Sequence, residues 1–384
     1  MTAHASKFVV IGAGLVGAAT GWQLAARGHE VTILEQATPG HPGGSSHGSA
    51  RIFRYAYAQA LYARLVVDAK PLWDELERLA DAVLIRPTGA LDFGERRNTQ
   101  HLARVLDELD IDHEWLPLNQ ARPRWPQFRF TTPVLWHPGA GVIDVDRAVE
   151  TMVDHAVRQG AVLRTGWTVT GVERTPSGYR LTSAGGDVVT AEHLVVCAGG
   201  WLPALLGDLS LPTGFLEQMP VLTVTQEQAY HFPYRQLPRE IGLQPTEPAW
   251  PTFIHKGPHL ETYGLPGGRD ADFRGQKVAE FAGGRWLTSA RTQDRIIDPE
   301  NRRRMVAYVT DSLPGLQAQP YAETTCLFTS TPDQRFLLDR ADGITVVSSC
   351  SGHGAKFAPL IGAMAAELAA PSTRPTDRGC HHRP

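Results

Sequence analysis

The chain predicts an α/β fold in which a Rossmann-like dinucleotide-binding domain is interleaved with a second, sheet-based domain of α+β character. Three observations predict it. The N-terminal run Val9-Val10-Ile11-Gly12-Ala13-Gly14-Leu15-Val16-Gly17 puts a G-x-G-x-x-G turn directly after an apolar strand. Strand-then-glycine signals recur far down the chain, at residues 194–201 and 344–354. Between them lie aromatic and proline-rich stretches of another character, over residues 85–135 and about 212–320.

The elements follow in order. Phe8 to Ile11 reads as a buried strand. Gly12 permits the tight turn, Gly14 lets backbone approach a pyrophosphate, and Gly17 lets the helix pack on the strand. The helix N-terminus offers free N–H groups and partial positive charge to phosphates. The helix runs to about Arg27 and stops at Gly28, a usual left-handed cap. Glu30 to Leu34 is the next strand. Glu35 sits at its end, where a carboxylate accepts hydrogen bonds from ribose hydroxyls. Phe8 to Ala26 carries no charge, but glycines and Gln23 interrupt it, so no secretion signal is expected.

Asp144 and Asp146 open a helix that ends at Gly160. Val162–Arg164 and Trp167–Val172 are strand-like, with Val172 among the expected cofactor contacts, and Tyr179–Leu181 with Val188–Val189 read as a hairpin. Leu194 to Trp201 is a buried strand ending in a glycine turn, where Ala198, Gly199 and Trp201 offer a second backbone approach to a cofactor. Ile344–Ser348 is a strand, followed by Ser351-Gly352-His353-Gly354 and a helix from about Lys356 to Ala369. This pattern assigns residues 1–84, 136–211 and 321–384 to the nucleotide domain. Residues 85–135 and 212–320 form the second domain, with the pocket between them.

At 384 residues the chain has room for two domains. A net charge of −3 argues against nucleic acid or a membrane surface as partner. Four cysteines, at 197, 326, 350 and 380, form no CxxC pair, which argues against a disulfide framework or zinc site and fits a reducing cytoplasm. The Cys380-His381-His382 tail could bind metal, but a functionless end is the expectation. No metal is expected. A monomer acting on a small molecule is.

Six segments carry a family resemblance, in order along nearly the whole chain: Gly12–Gly17; Ser46-His47-Gly48-Ser49-Ala50-Arg51-Ile52-Phe53-Arg54; Cys197-Ala198-Gly199; Tyr263-Gly264-Leu265-Pro266; Cys326 with Thr331-Pro332-Asp333; and Ser351-Gly352-His353-Gly354-Ala355-Lys356-Phe357. The chain resembles the monomeric sarcosine oxidase and N-methyltryptophan oxidase family, in the D-amino-acid-oxidase-like group. The resemblance implies FAD, two domains, and oxidation of N-alkyl or cyclic amino acids by O2. It implies that Cys326 attaches covalently to the flavin, that Arg54 and Lys356 grip the substrate carboxylate, and that Arg51, His47 and Ser46 lie beside the cofactor. Lys277 matches the lysine associated with oxygen activation, and Tyr263 a pocket tyrosine.

The chain departs from the family pattern around the substrate. Ala50 replaces a threonine, Phe281 replaces a histidine, and Arg54-Tyr55-Ala56-Tyr57-Ala58-Gln59-Ala60 differs from the usual Arg-His-Ala-Tyr-Gly-Glu-Gly. The Tyr263-to-Lys277 spacing is a few residues longer than usual.

The chemistry is consistent with these roles. Amine oxidation needs an electron sink, which a flavin supplies. Arg54 can hold a carboxylate through two parallel bonds while Lys356 adds a point charge. Gly352 and Gly354 bound a turn whose backbone N–H groups could face negative charge on the reduced ring. Lys277 could stabilise charge developing on O2. His353 could serve as acid or base, or be structural. The expected activity is an FAD-dependent amino acid oxidase giving an imine and H2O2. The alternatives are a flavin dehydrogenase or natural-product tailoring enzyme with another acceptor, and a non-catalytic flavin-binding protein.

Overall fold

The computed structural model describes residues 4–235 and 250–371; the Cys380-His381-His382 tail lies outside them. The strand His4–Ile11 lies between two parallel neighbours, Val31–Leu34 and Val188–Val196. Val162–Arg164 extends this sheet on one side. Ile344–Ser348 joins Val188–Val196 in parallel, Gly178–Ser183 pairs antiparallel with Val188–Val196 as the hairpin expected from the sequence, and Val169–Thr175 adds antiparallel to Gly178–Ser183. Helices Leu15–Ala26, Val145–Arg158 and Ala358–Ala369 share one apolar cluster with the inner strands. Asp144 caps the second of these, its side chain accepting from Arg147 N at 3.2 Å.

Glycine lets these layers close. A Cβ at Gly17 would lie 1.9 Å from Gly12 O, so the nucleotide helix could not settle onto its strand. A Cβ at Gly362 would lie 2.4 Å from Ala19 Cβ and 2.6 Å from the Ala19 backbone carbon, where two helices cross. Gly362→Ala should therefore force the helices apart and lower unfolding stability by about 1–3 kcal/mol. Chemical denaturation checks this; an unchanged midpoint would show that the crossing is not tight.

Among the described residues the second sheet has nine strands, including Thr223–Pro233, Gly275–Glu280, Glu261–Pro266, Thr252–Lys256 and Ala90–Phe93. Its pairings move three expected boundaries. Ala322–Ser330, which carries Cys326, pairs along its whole length with Thr223–Pro233, from Thr223 opposite Ser330 to His231 opposite Ala322. Backbone groups in a strand must be satisfied, and this long neighbour satisfies them in the second sheet rather than beside the nucleotide loop. Val134–His137, which spans the boundary expected at 136, also joins the second sheet. Ile85–Pro87 instead pairs with Gly141–Ile143, which also pairs with Arg51–Phe53, in a small three-stranded sheet. The last helix is preceded by a 3₁₀ turn, Gly354–Phe357. Among the described residues no helix is long and apolar enough to cross a membrane.

Candidate active site

A single cavity of about 790 Å³ is lined by residues of both large sheets. That volume sits in the upper part of the range for ligand pockets, roughly 300–1,000 Å³. One end is the glycine turn. Gly12, at φ +99°, donates to Leu34 O at 2.7 Å, and a Cβ there would lie 2.6 Å from Cys197 O. Glu35 is buried at the cavity edge, accepting from Ala13 N at 2.8 Å and Ala37 N at 2.9 Å. Ser46 Oγ accepts from Leu15 N at 3.0 Å, at the start of the nucleotide helix. Gly14, Ala198, Gly199 and Trp201 line the same end.

Two cofactor expectations take different places. Gly17 serves helix packing and is not in the lining. Val172 is buried in the apolar cluster behind the sheet; Trp167, Thr168, Val169 and Thr170 of the same segment line the cavity instead. A register shift between Val169 and Gly171 separates the two parts of that strand.

The middle of the cavity is cationic. Arg51 is fixed by its guanidinium donating to Ala50 O and Ser45 O, each at 3.0 Å. Lys277 is 6% exposed and lines the cavity. Burial, then the Arg51 charge, lower its ammonium to about 8, against the opposing pull of Cys326, Asp270 and Asp146. His47 is driven to about 3 by burial and by the Arg51 and Lys277 charges, so its imidazole is neutral, and its buried Nε2 has no hydrogen-bond partner among the described residues. Burial pushes the Cys326 thiol up, while Arg51 and Lys277 pull it down. Tyr263, also in the lining, has its phenol raised by burial.

At the far end the structure joins Arg54 and Lys356 through a residue the sequence reading passed over. The Arg54 guanidinium sits 4.3 Å from the centre of the Tyr57 ring and donates to Ala56 O. Lys356, 3% exposed, donates to Tyr57 Oη at 3.0 Å and to His353 O at 2.8 Å. Burial, with the Arg54 charge, holds the Lys356 ammonium well below its ordinary range. His353 is pushed to about 3 by burial and then by Lys356; its ring stacks on Phe336 and its Nδ1 lies 3.3 Å from Tyr57 Oη. A neutral imidazole held on both sides is a positioning element at neutral pH.

The Gly352 turn fits between rings, since a Cβ there would lie 2.5 Å from the Phe328 ring and 2.9 Å from that of Phe281. A Cβ at Gly354 would meet Ser349 O at 1.7 Å. Arg97 was also missed. It lines the cavity, pairs with the fully buried Asp92 and donates to Ala56 O at 3.2 Å, the carbonyl that Arg54 also uses. The only signal for it was an acid and an arginine five residues apart across a turn.

The residues fit FAD. The glycine turn leaves space no side chain could share, Glu35 and the helix start suit a ribose and a pyrophosphate, and the buried Nε2 of His47 faces no protein partner. A nucleotide cradle joined in one cavity to the Arg54–Tyr57–Lys356 cluster is an arrangement that suits a flavin-dependent oxidoreductase. The chain belongs to the FAD dependent oxidoreductase family, whose model matches residues 7–368.

Its relatives agree. It is 31% identical to the monomeric sarcosine oxidase of Streptomyces avermitilis, over 95% of this chain and 94% of that protein. It is 32% identical to the human peroxisomal sarcosine oxidase, over 94% and 91%. The solved structure of NikD, described as an unusual amino acid oxidase essential for nikkomycin biosynthesis, superposes with a TM-score of 0.83 at 26% identity, covering 97% of this chain and 96% of that one. L-Proline dehydrogenase from P. horikoshii shares the fold, with a TM-score of 0.79 at 19% identity over 96% and 94%.

Proposed function

We propose that this chain oxidises the C–N bond of a secondary amino acid, N-methyl or cyclic, with O2 as acceptor. The observation that carries this reading is the Arg54–Tyr57–Lys356 cluster at one end of a cavity whose other end is the nucleotide cradle. FAD, when bound, supplies the acceptor for two electrons and passes them to O2, so that amine and O2 become imine and H2O2. Gly12, Gly14, Glu35, Ser46, Ala198, Gly199 and Trp201 would hold its nucleotide half; Arg51, His47, Cys326, Gly352 and Gly354 would lie along its ring system.

The protein's own task is placement. Arg54 and Lys356 bind the carboxylate and so fix which face of the α-carbon is presented. Phe281, Phe328 and Tyr263 exclude water from the reacting end. Lys277 holds a positive charge beside the space where O2 would be reduced. On this reading the enzyme works as a monomer in the cytoplasm, supported by the name of its Streptomyces relative and by the free thiols of Cys197, Cys326 and Cys350 among the described residues.

The test is anaerobic bleaching of the purified yellow protein against a panel of secondary amino acids, followed by readmission of air. Bleaching by at least one member, with stoichiometric H2O2 on reoxidation, is expected. Bleaching without peroxide would replace the oxidase with a dehydrogenase.

The flavin is proposed to be covalent through Cys326. Cys326 lines the cavity; burial pushes its thiol up, and the Arg51 and Lys277 charges oppose that burial in the direction of the thiolate a thioether needs. Acid-precipitated wild type should keep its colour, and Cys326→Ser should release essentially all of its FAD. Complete release from the wild type would rule out the thioether and leave a noncovalent oxidase.

A further inference from the structure

The turn after the Cys326 strand, from Thr331 to Phe336, carries the Thr331-Pro332-Asp333 motif and reaches the cavity, where Asp333 and Gln334 line it. It is tied on itself three times. Gln334 N donates to Thr331 O at 3.1 Å, Thr331 Oγ1 donates to Arg335 O at 2.8 Å, and Arg335 N donates to Asp333 Oδ1 at 3.1 Å. Among these bonds Gln334 sits in the left-handed region, at φ +61°. Its carbonyl lies 3.3 Å from His353 Nε2, and Tyr62 Oη reaches the same oxygen at 3.5 Å.

That carbonyl sets the direction of a chain of hydrogen bonds. A carbonyl oxygen only accepts, so the Nε2 that faces it carries the ring proton. The His353 ring is neutral, since burial and the Lys356 charge push it to about 3, so Nδ1 keeps a bare lone pair. Nδ1 lies 3.3 Å from Tyr57 Oη and therefore accepts the hydroxyl proton. The Tyr57 oxygen is left with lone pairs alone to offer Lys356 Nζ, which donates to it at 3.0 Å. A hydroxyl free to turn could donate to an uncharged amine instead; one committed to His353 favours the ammonium. Lys356 Nζ also donates to His353 O at 2.8 Å, and Trp73 Nε1 fixes the Lys356 carbonyl at 2.7 Å. An ammonium has three donors, so one remains for a ligand.

We infer that His353 is a positioning residue that acts through Tyr57, holding its hydroxyl as an acceptor so that Lys356 stays a charged donor. The inference rests on the reading of Arg54 and Lys356 as the carboxylate grip. It also gives the Thr331–Arg335 turn a task, which is to present the Gln334 carbonyl that selects the His353 tautomer.

Two measurements test it. The first is ¹⁵N NMR of histidine-labelled, flavin-loaded protein, which reads the ring tautomer with no ligand present. His353, assigned by the loss of its signals in His353→Asn, should be a single Nε2–H tautomer at neutral pH. The second is titration with acetate as a carboxylate probe, followed by the flavin spectrum. His353→Phe removes the acceptor for the Tyr57 hydroxyl and should weaken acetate binding by about tenfold. His353→Asn, whose Oδ1 can stand where Nδ1 stood, should recover most of that loss. Tyr57→Phe should cost a similar factor, and the double variant His353→Phe/Tyr57→Phe should be no worse than Tyr57→Phe alone. A predominant Nδ1–H tautomer overturns the inference. So does a double variant whose loss is the product of the two singles, about a hundredfold. If the Nε2–H tautomer is found but Lys356→Met leaves acetate binding unchanged, the direction of the chain stands and the carboxylate-grip reading falls instead.

Discussion

Lys277→Met is expected to slow reoxidation of the reduced enzyme by O2 by about 10²–10³ while leaving reduction by substrate nearly unchanged. The two effects separate because the side chains proposed to hold the carboxylate, Arg54 and Lys356, form their own cluster on Tyr57. A fixed charge in a site that excludes water needs no reorganisation as negative charge appears on O2, and the low dielectric magnifies it. The same burial lowers the ammonium to about 8, so wild-type reoxidation should fall as pH rises through about 8. Stopped-flow mixing with oxygenated buffer measures both. Equal slowing of the two half-reactions would make Lys277 structural. Stability gives a second readout. The folded lysine loses its proton near 8 and the unfolded one near the ordinary 10.5, so between those values the unfolded state binds more protons. This site's contribution to stability therefore rises with pH across that window, and Lys277→Met should abolish the rise.

The nucleotide half was legible because its signals are local. Gly12, Gly14, Gly17 and Glu35 all belong to one strand–helix–strand unit whose motif spacing is fixed, and the helix stop at Gly28, with φ +77°, follows the same logic. The Cys326 segment was placed with the nucleotide domain rather than the second sheet, since nothing local in a sequence names a partner about a hundred residues away. Val172 failed for a related reason. The register shift between Val169 and Gly171 leaves no mark in composition, yet it separates the cavity-lining residues from those in the core. Arg54 and Lys356 lie about three hundred residues apart, and only the family resemblance paired them; Tyr57, which physically joins them, stood in a segment noted as a departure. The long loop before Lys277 was visible as a count. What anchors it, the Ser49 side chain bonded to Asp270 from another element, left no mark in that count.

Arg54→Ala is expected to lower the efficiency of substrate oxidation by roughly 10²–10³, in keeping with the 2–5 kcal/mol lost when one partner of a buried charge pair is truncated. Its guanidinium is held for the task, stacked on Tyr57 at 4.3 Å and tied to the Ala56 carbonyl that Arg97 also steadies. Removing it leaves Lys356 alone, and burial already disfavours that ammonium, so the remaining cation is the weaker one. Binding of simple carboxylate inhibitors should weaken in parallel, measured by the perturbation of the flavin spectrum. Arg54→Lys should recover only part of the loss, because an ammonium cannot reproduce the two parallel donors of the fork. A plain secondary amine without a carboxylate is the discriminating substrate. It should be poor for the wild type and nearly indifferent to either substitution, since it never used the grip. If it bleaches the wild type as readily as an amino acid does, the Arg54–Lys356 cluster is not reading a carboxylate, and the aromatic lining around Tyr57 and Phe281 has turned the site toward another class of amine.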